Sequence, residues 1–462
     1  MAPIDALALY HRLPYRLKVA AASAHGWRLR RWRYGDDTPR RVAEALERDY
    51  WDADAWRRFH GDQLRRRLDD AARHVPAYAA RRPGTPLDAW PLLEKSALRR
   101  DPESFLDARR DPGGLYAEHT SGTSGTPLRL FWSRRTVRAW YALSEARSRA
   151  WYGVSRRDRW AILGGQLVAD PRRTRPPFWV WNAGLRQLYL SSYHLSAALA
   201  GHYLEALESH RVRYLWGYPS ALATLAALVL DATDGRGARH LGLKVAIANA
   251  EPVLGTQRRL VEDAFGCPLR ETYGMAELAT AASECEHGRL HLWPDVGHVE
   301  ILDDDGRPVP AGEAGRLVAT GLISDAQPLI RYVVGDRLRL AADDGCPCGR
   351  TLPVLEAVEG RVDDVIVTPD GRRIGRLDPV FKADLPMLEA QIIQTGESAV
   401  HLRYVPEKGL DGAGRQELEA DLRRRLESRL PGMVAEVEAV DSIPRGAQGK
   451  FRAVVGLGRP RT

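Results

Sequence analysis

The sequence predicts an α/β protein in which a large N-terminal domain, with a mixed and mostly parallel sheet flanked by helices, precedes a small α+β domain. Three observations lead to this prediction. The chain has 462 residues, more than one hydrophobic core usually serves. Short apolar runs alternate with helical patterns over residues 116–340, and this pattern changes after about residue 360. We therefore expect domains at residues 1–362 and 363–462.

The large domain is predicted to begin with a mainly helical region, residues 1–110. Within residues 55–75, apolar side chains recur at the spacing of one helical face, and Pro76 is expected to end that helix. The predicted face comprises Trp56, Phe59, Leu64, Leu68, Ala71 and Val75.

Residues 111–362 are predicted to form the α/β core of the large domain. Strands are predicted at 160–165, 213–219 and 244–250, and helices at 220–232 and 256–266. Because strands that alternate with helices are typical of parallel pairing, this pattern favours a mostly parallel sheet.

The small domain, residues 363–462, is predicted to combine a hairpin, a helix and a strand. The hairpin turns at Pro369, Asp370 and Gly371, residue types that favour turns. The strand covers residues 433–440, and no final helix is evident. The helix carries one apolar stripe, formed by Leu418, Leu422, Leu426 and Leu430.

Composition and charge exclude some classes of function. The net charge of +8 comes from scattered arginines, and runs such as those at 27–33 and 64–68 are predicted to be solvated helix faces. A basic balance can also suit anionic substrates such as nucleotides. No aromatic and basic pattern of a nucleic-acid module occurs, so no nucleic-acid partner is expected.

The expected location is cytoplasmic. The N-terminus lacks the pattern of a secretory signal, and disulfides are therefore unlikely to form. The longest apolar run, residues 221–232, is far shorter than the roughly 20 residues that span a bilayer, so no membrane span is expected.

The stretch EHTSGTSGTPLRL, residues 118–130, has the composition of a loop that binds an anion. It is not a Walker loop, because Gly125 is followed by Thr126 and Pro127 instead of lysine and a hydroxyl residue. Its glycines and hydroxyls can still present donors to phosphate. On these residues alone, a flexible Ser/Thr/Gly linker is an equal alternative.

Five segments, taken together, resemble the adenylate-forming superfamily of acyl-CoA synthetases and ligases. They occur in the order and at the spacing of that superfamily, and they are TSGTSGTP (120–127), ETYGMAEL (271–278), RYVVGD (331–336), GRVDDVIV (360–367) and PRGAQGKFR (444–452). The segments PLLEKSALRRDPESF, WGYPS and CPCGRTLPVLEAVEGRVDD resemble phenylacetate–CoA ligases, and still more closely the related ligases of capsular polysaccharide biosynthesis.

The resemblance implies an ATP-dependent ligase that joins a carboxylic acid to the α-phosphorus of ATP and releases pyrophosphate. The acyl-adenylate then passes to the thiol of CoA or, alternatively, to an amine. A third possibility is a non-catalytic homologue that binds nucleotide and acts as an assembly partner. The resemblance leaves the acid and the acceptor open, and a homodimer is possible.

The resemblance also implies which residues carry the reaction. Lys450 would offset charge at the α-phosphate, Glu277 would hold Mg²⁺, and Asp363 would be the hinge between the domains. The residues implied in binding ATP or AMP are Thr120, Ser121, Gly122, Thr123, Ser124, Gly125, Thr126, Glu251, Tyr273, Gly274, Asp336 and Arg361.

Several of these residues also have ordinary structural explanations. Lys450 could be a solvated tail lysine, Glu277 a surface glutamate and Tyr273 a core tyrosine. The sequence departs from the family pattern at Ala276, where a threonine usually contacts the α-phosphate. It also lacks the lysine that often follows the proline of the phosphate loop, where Leu128 and Arg129 stand.

Three of the four cysteines lie in small polar segments, and the fourth, Cys267, is expected in the core. By resemblance to the phenylacetate–CoA ligase group, Cys285, Cys346 and Cys348 would bind a structural zinc ion. The fourth ligand would be His291, with His287 as the rival. The spacing alone is a moderate signal, and free thiols beside surface histidines are the alternative.

The acyl pocket is the least defined part of the prediction. Residues 176–184 and 189–196 are rich in aromatic side chains, and such segments line either an apolar pocket or the core. His194 and Tyr218 are the tentative pocket residues.

Overall fold

The structure is a computed structural model, and every structural statement below concerns the residues that it describes. These are residues 6–119, 128–250, 253, 255–343, 345–359, 366–374, 377, 380, 385–406, 410–441, 443 and 454–456.

The N-terminal region is helical, as predicted. Asp52 caps its longest helix by accepting a hydrogen bond from the Ala55 backbone N–H at 2.7 Å. That helix ends at His74, two residues before Pro76, which confirms the predicted end. The helices of this region are α1 (Ala6–Arg12), α2 (Tyr15–Arg33), α3 (Thr38–Arg48), α4 (Ala53–His74) and α5 (Lys95–Arg100).

The centre of the large domain is a twelve-stranded mixed sheet, preceded by the hairpin of β1 (Tyr116–His119) and β2 (Arg129–Trp132). Its strands are β3 (Trp160–Gly164), β4 (Trp179–Asn182), β5 (Gln187–Ser191), β6 (Tyr214–Gly217), β7 (Val245–Asn249), β8 (Leu269–Gly274), β9 (Ala281–Glu284), β10 (Leu290–Leu292), β11 (Gly297–Leu302), β12 (Ala314–Gly321), β13 (Tyr332–Leu340) and β14 (Val354–Glu359). The helices are α6 (Arg134–Arg147), α7 (Ala200–Ser209), α8 (Pro219–Ala232) and α9 (Gly255–Phe265).

The strand order is β11-β12-β13-β14-β10-β9-β8-β7-β6-β3-β5-β4. Only the block β5-β3-β6-β7-β8 is parallel, and the other neighbours are antiparallel. The sheet is therefore mixed, and the predicted α/β fold class is confirmed, but the parallel part is smaller than predicted. Strand and helix alternate only as far as β8. The strands after β8 follow one another without a crossover helix and pair antiparallel.

The parallel block packs against α7, α8 and α9. β3 and β7 of this block are almost continuously buried, which is typical of a sheet covered on both faces. Cys267 belongs to this core, as predicted. Gly217 closes β6, and a Cβ there would lie 2.5 Å from the Leu163 carbonyl oxygen, so the strand ends can approach only with glycine.

A buried ion cluster joins the N-terminal helices to the sheet. Arg147 of α6 is fully buried and contacts Asp49 at 2.7 Å and Asp295 at 2.5 Å. Arg48 reaches the other oxygen of Asp295 at 2.5 Å, and the Trp151 indole N–H donates to Asp49 at 2.8 Å. Asp49 follows α3 and Asp295 precedes β11, so the cluster connects segments distant in sequence.

The C-terminal region has its own sheet and apolar core. A hairpin of β15 (Ile366–Val367) and β16 (Arg373–Ile374) turns through Gly371, whose φ is +78°, as predicted. The sheet has the order β19-β18-β17-β20. Its elements are β17 (Met387–Gly396), β18 (Ala399–Pro406), α10 (Gly412–Glu427), β19 (Val434–Ala439) and β20 (Val454–Val455). The predicted leucine stripe is buried in this core.

One arginine links this region to the large sheet. Arg372 of the hairpin donates to the backbone carbonyl of Tyr193, just beyond β5, and pairs with Asp370 at 2.5 Å. The Tyr193 ring is buried in the same apolar cluster as Ile366 and Ile374. The small region therefore lies over the end of β5.

Candidate functional site

The candidate site lies at the carboxyl ends of the parallel strands, where ligands bind in open α/β sheets. Tyr218 follows β6, Gly274 ends β8, and Glu277 follows three residues later. Glu251 follows β7 by two residues in sequence but lies outside the described residues. Strand order thus brings separate predicted residues to one edge of the sheet.

Two of the predicted nucleotide residues contact each other. The Tyr273 hydroxyl donates to Asp336 at 2.7 Å. β8 and β13, which carry them, are separated by three strands, a distance of roughly 19 Å in a flat sheet. The sheet must therefore curve strongly between them. Bulges in the pairing of β13 with both of its neighbours are consistent with this curvature.

Glu277 is buried and has two partners in the structure. The Tyr332 hydroxyl donates to its carboxylate at 2.8 Å, and the Lys95 ammonium lies 3.7 Å from the same oxygen. A carboxylate at 7% exposure is not the surface glutamate of the alternative explanation. Its oxygens are of the type that Mg²⁺ prefers.

Lys95 was missed by the sequence analysis. Its helix is held beside β13 because Leu93 exchanges backbone hydrogen bonds with Arg331 at 2.9 Å and Val333 at 3.0 Å. Contacts over such a sequence distance leave no local pattern. One signal was available, however: only six of the 68 Lys and Arg residues are lysines, and Lys95 and Lys450 both lie in motif segments.

Glu271, two residues before Tyr273, is a second titratable group that the sequence analysis missed. Burial, reinforced by the negative charge of Glu284, raises the pKa of Glu271 to about 7, and Arg258 opposes this rise. Glu284 itself is paired with Arg258 at 2.9 Å and with Arg270 at 3.3 Å. The Glu271 carboxyl is therefore partly protonated at neutral pH.

Ala276 packs partly buried against the apolar cluster that contains Tyr332. It offers no side-chain donor where the family pattern has a threonine. Arg129, which follows the phosphate loop, lies 3.6 Å from Glu103 and stacks over the Phe131 ring at 4.8 Å. These are the contacts of its guanidinium within the described residues.

Several predicted residues lie outside the described residues. They are the phosphate loop from Thr120 to Thr126, together with Glu251, Arg361, Asp363 and Lys450. The described flanks of the loop form the β1–β2 hairpin, in which His119 pairs with Arg129.

The predicted metal ligands come together in a second site. The ligand atoms of Cys285, His291, Cys346 and Cys348 all lie within 4.8 Å of one another. The Cys285 and Cys346 sulfurs are 3.6 Å apart, and the Cys348 sulfur lies 3.5 Å from His291 Nε2. His287 is exposed and does not belong to this group. The geometry therefore favours His291 over its rival.

Neighbouring contacts fix the orientation of His291. Its Nδ1–H donates to the Leu352 carbonyl at 3.0 Å, which leaves Nε2 as the ligand nitrogen. Trp151 stands edge-on to the imidazole at 6.1 Å, and Arg350 stacks over Trp151 at 4.3 Å. Three sulfurs and one oriented nitrogen fit a closed tetrahedral zinc site.

The tentative assignment of His194 to an acyl pocket is contradicted by its contacts. The imidazole is 1% exposed and stacks on Phe178 at 4.5 Å. Its Nε2–H donates to the Asp170 carbonyl at 3.1 Å, and its Nδ1 accepts from the Ser191 hydroxyl at 2.8 Å. Burial and the charge of Arg372 lower the pKa of His194 to about 4. His194 is therefore a neutral core residue, and both ring nitrogens are already bonded.

Tyr218 remains compatible with a pocket role. It is half-buried, and its backbone N–H donates to the Leu163 carbonyl at 3.3 Å where β6 passes into α8. The aromatic residues of 176–184 lie mostly in the β4–β5 hairpin at the edge of the sheet, where Phe178 and Val180 are buried.

The AMP-binding enzyme family matches residues 76–323, more than half of the chain. A second family, the CapK C-terminal domain, matches residues 366–456.

The chain is 30% identical over 191 residues to a phenylacetate-coenzyme A ligase of Thermus thermophilus. The aligned region covers 40% of this chain and 42% of the relative. It is 23% identical over 259 residues to Protein CapK of Staphylococcus aureus, covering 55% and 54%. The chain thus spans about half the length of these curated relatives. A crystal structure of a 2-hydroxyisobutyryl-CoA ligase aligns over 99% of this chain and 94% of that one, at 21% identity and a TM-score of 0.47.

Proposed function

Because the chain belongs to the AMP-binding enzyme family, we propose that it is an ATP-dependent, AMP-forming ligase that activates a carboxylic acid as its acyl-adenylate. Transfer of the acyl group to CoA is the favoured second step. Transfer to an amine is the alternative. The family match supports the first step, and the phenylacetate-coenzyme A ligase relative supports the second.

One observation carries this proposal. Two motifs that are about sixty residues apart meet through two hydrogen bonds, from Tyr273 to Asp336 and from Tyr332 to Glu277. The pair of motifs gathers an aromatic ring and two carboxylates at one edge of the sheet. This set of groups is suited to stack a base, to accept from ribose hydroxyls and to hold a hard cation.

In the proposed reaction, the substrate carboxylate attacks the α-phosphorus of ATP, and the bond to the pyrophosphate oxygen breaks. Bound Mg²⁺ would supply positive charge at the phosphates, and Glu277 is the residue that would hold it. Asp336 would fix the ribose, and Lys450 would place an ammonium between the reacting carboxylate and the α-phosphate. Such preorganised charge is the largest expected contribution to the rate, because negative charge gathers on the phosphorus centre.

We further propose that Lys95 is a positioning residue for Glu277. The chain lacks the lysine that often follows the phosphate loop, and Ala276 removes a hydroxyl donor. Lys95 supplies a positive charge 3.7 Å from Glu277, and its Nζ also lies 3.4 Å from the Val334 carbonyl. These contacts hold the Glu277 carboxylate in one orientation.

Replacement of Lys95 by methionine is expected to lower kcat/KM for adenylation about tenfold to a hundredfold, mostly through a higher KM for Mg-ATP. The KM for the acid should change little, since Lys95 contacts Glu277, the proposed Mg²⁺ ligand. Steady-state pyrophosphate release would measure both constants. Arg100→Met, on the exposed side of the same helix, is the matched control. Equal kinetics of both variants would remove Lys95 from the site.

We propose that Cys285, His291, Cys346 and Cys348 bind a structural zinc ion. A closed set of four ligands leaves no open position for catalysis. The site would join the segment after β9 to the segment before β14.

Reduced thiols suit a reducing compartment, and a cytoplasmic location therefore remains part of the proposal. None of the described helices is long and apolar enough to cross a membrane.

We propose that the domain boundary lies at residues 362 and 363 and that Asp363 is the hinge. The C-terminal region has its own four-stranded sheet, and the apolar cluster on that sheet is formed mostly by residues after 363, which supports this boundary. Asp363→Pro is expected to impair one half-reaction while sparing the other, because proline fixes φ at the position that must rotate. Single-turnover adenylation and thioester formation would be measured separately, with Asp363→Ala as the control. Equal loss in both half-reactions would count against a hinge.

A homodimer also remains a prediction.

The overall proposal is tested by a screen of carboxylic acids for pyrophosphate release in the presence of Mg-ATP. Each acid is assayed with CoA, with a panel of amines and with neither. AMP release that depends on CoA would identify a CoA ligase, and AMP release that depends on an amine would identify the alternative. ATP binding without turnover of any acid would favour the non-catalytic homologue.

A further inference from the structure

Helix α2 presents an outer face that the rest of the described chain does not cover. Its inner face packs on the edge of the large sheet, where Gly26 is buried so closely against Asn182 that any Cβ would collide with that side chain. Lys18 is also buried on this side. The opposite side is exposed along the helix, at Arg16, Leu17, Ala20, Ala21, Ala24, His25, Trp27, Arg28, Arg30 and Arg31.

The outer face carries large apolar side chains in water. Leu17 is 53% exposed and Trp27 is 50% exposed, and Leu9 of α1 is 56% exposed. These are three of the six exposed large hydrophobic residues in the described chain, and they fall within its first 27 residues. Leu17 and Trp27 are ten residues apart, roughly 15 Å along the helix. Ala20, Ala21 and Ala24 fill the space between them on the same side.

The same face carries arginines without acidic partners. Residues 6–35 contain seven Lys or Arg and no Asp or Glu. None of the exposed arginines at 12, 16, 28, 30 and 31 forms an ion pair within the part of the chain that the structure describes. Some exposed arginines on other helices do pair with acids of their own helix, as Arg40 does with Glu44 and Arg57 with Asp54. A solvated helix face was predicted for residues 27–33, and the absence of acids is what distinguishes this face.

We propose that this face, defined by Arg16, Leu17, Trp27, Arg28 and Arg31, is a docking surface for the anionic headgroups of a lipid bilayer. The unpaired arginines would neutralise the lipid charges. Leu17 and Trp27 would enter the boundary between headgroups and acyl chains, with α2 parallel to the surface. Trp is favoured at that boundary because its ring is apolar and its N–H is polar.

Charge and apolar exposure together select this partner over two others. A nucleic acid would account for the arginines but would leave Leu9, Leu17 and Trp27 in water. A second copy of the same face would bring two strongly positive surfaces together, which is unfavourable. Of these three partners, an anionic surface with an apolar interior is the one that satisfies both features. The inference does not depend on the proposed ligase function.

The test uses the full chain and sedimentation with vesicles, either of phosphatidylcholine alone or of phosphatidylcholine mixed with phosphatidylglycerol. At low salt we expect the chain to pellet with the mixed vesicles and to remain in solution with phosphatidylcholine alone. Added salt should release it, because the charge interaction is screened. Arg28→Glu/Arg31→Glu should weaken partitioning at least about tenfold, and Leu17→Ser/Trp27→Ser should weaken it as well.

The matched control is Arg40→Glu/Arg57→Glu, which changes the net charge equally on α3 and α4. It should bind vesicles like the unchanged chain. Thermal unfolding of each variant verifies that it is folded. Vesicle binding that is equal for both charge-reversed variants, or equal on both lipid compositions, would overturn the proposal. The proposal would also be overturned if the chain bound duplex DNA but no vesicles. The same holds if Leu17→Ser/Trp27→Ser abolished a dimer without changing lipid binding.

Discussion

Lys450→Ala is expected to lower the rate of adenylate formation by at least about a hundredfold, and as much as a thousandfold. The reason is that the ammonium would act on charge that develops only as the carboxylate attacks phosphorus. ATP binding should persist, because the proposed contacts to the base and the ribose come from Tyr273 and Asp336 of the large domain. Pyrophosphate exchange would measure the first step, and equilibrium dialysis with ATP would measure binding.

The control for this variant is Lys244→Ala, which removes an exposed lysine from the large domain. Transfer of a preformed acyl-adenylate to CoA should be much less affected by Lys450→Ala than adenylation. This difference separates a role in the first step from a general loss of structure. Undiminished pyrophosphate exchange in the variant would refute the proposed role of Lys450.

Cys346→Ser/Cys348→Ser is expected to release the bound metal and to lower the unfolding temperature by about 10 °C or more. The serines keep the size of the side chains but lose the thiolate ligands. His291 and Cys285 alone would not form a closed site. Metal content by mass spectrometry and thermal unfolding would give the two measurements.

Cys267→Ala is the matched control, since it alters a core cysteine outside the cluster. It should keep the metal, whatever its effect on stability. The zinc proposal predicts a loss of stability that accompanies metal loss and that a chelator reproduces in the unchanged chain. Zinc-free protein with unaltered thermal unfolding would contradict it.

The sequence was most informative where a short motif fixes both a residue and its surroundings. Tyr273, Asp336 and Glu277 were named from motifs, and the structure joins Tyr273 to Asp336 and Glu277 to Tyr332 of the neighbouring motif. The leucine stripe of α10 and the turn at Gly371 were also predicted, because local periodicity and turn chemistry determine them. The four metal-site residues required the resemblance as well, since their spacing spans about sixty residues.

The sequence was least informative where long-range contacts decide the outcome. Lys95 reaches Glu277 only because Leu93 pairs with β13, a contact over more than two hundred residues. His194 lies in an aromatic segment that suits a pocket and a core equally, and only its two bonded ring nitrogens distinguish them. The antiparallel half of the large sheet follows from chain direction in space, which strand propensity does not encode.

The buried ion cluster around Arg147 sets a limit on how far the polypeptide can be shortened from its beginning. A deletion that stops before Thr38 removes α1 and α2 and leaves all four charges of the cluster in place. A deletion that continues through Asp49 removes Arg48 and Asp49 together, so that Arg147 and Asp295 keep only each other as partners in the interior. The third helix is therefore a structural part of the large domain, because it brings two of the four charges to the cluster.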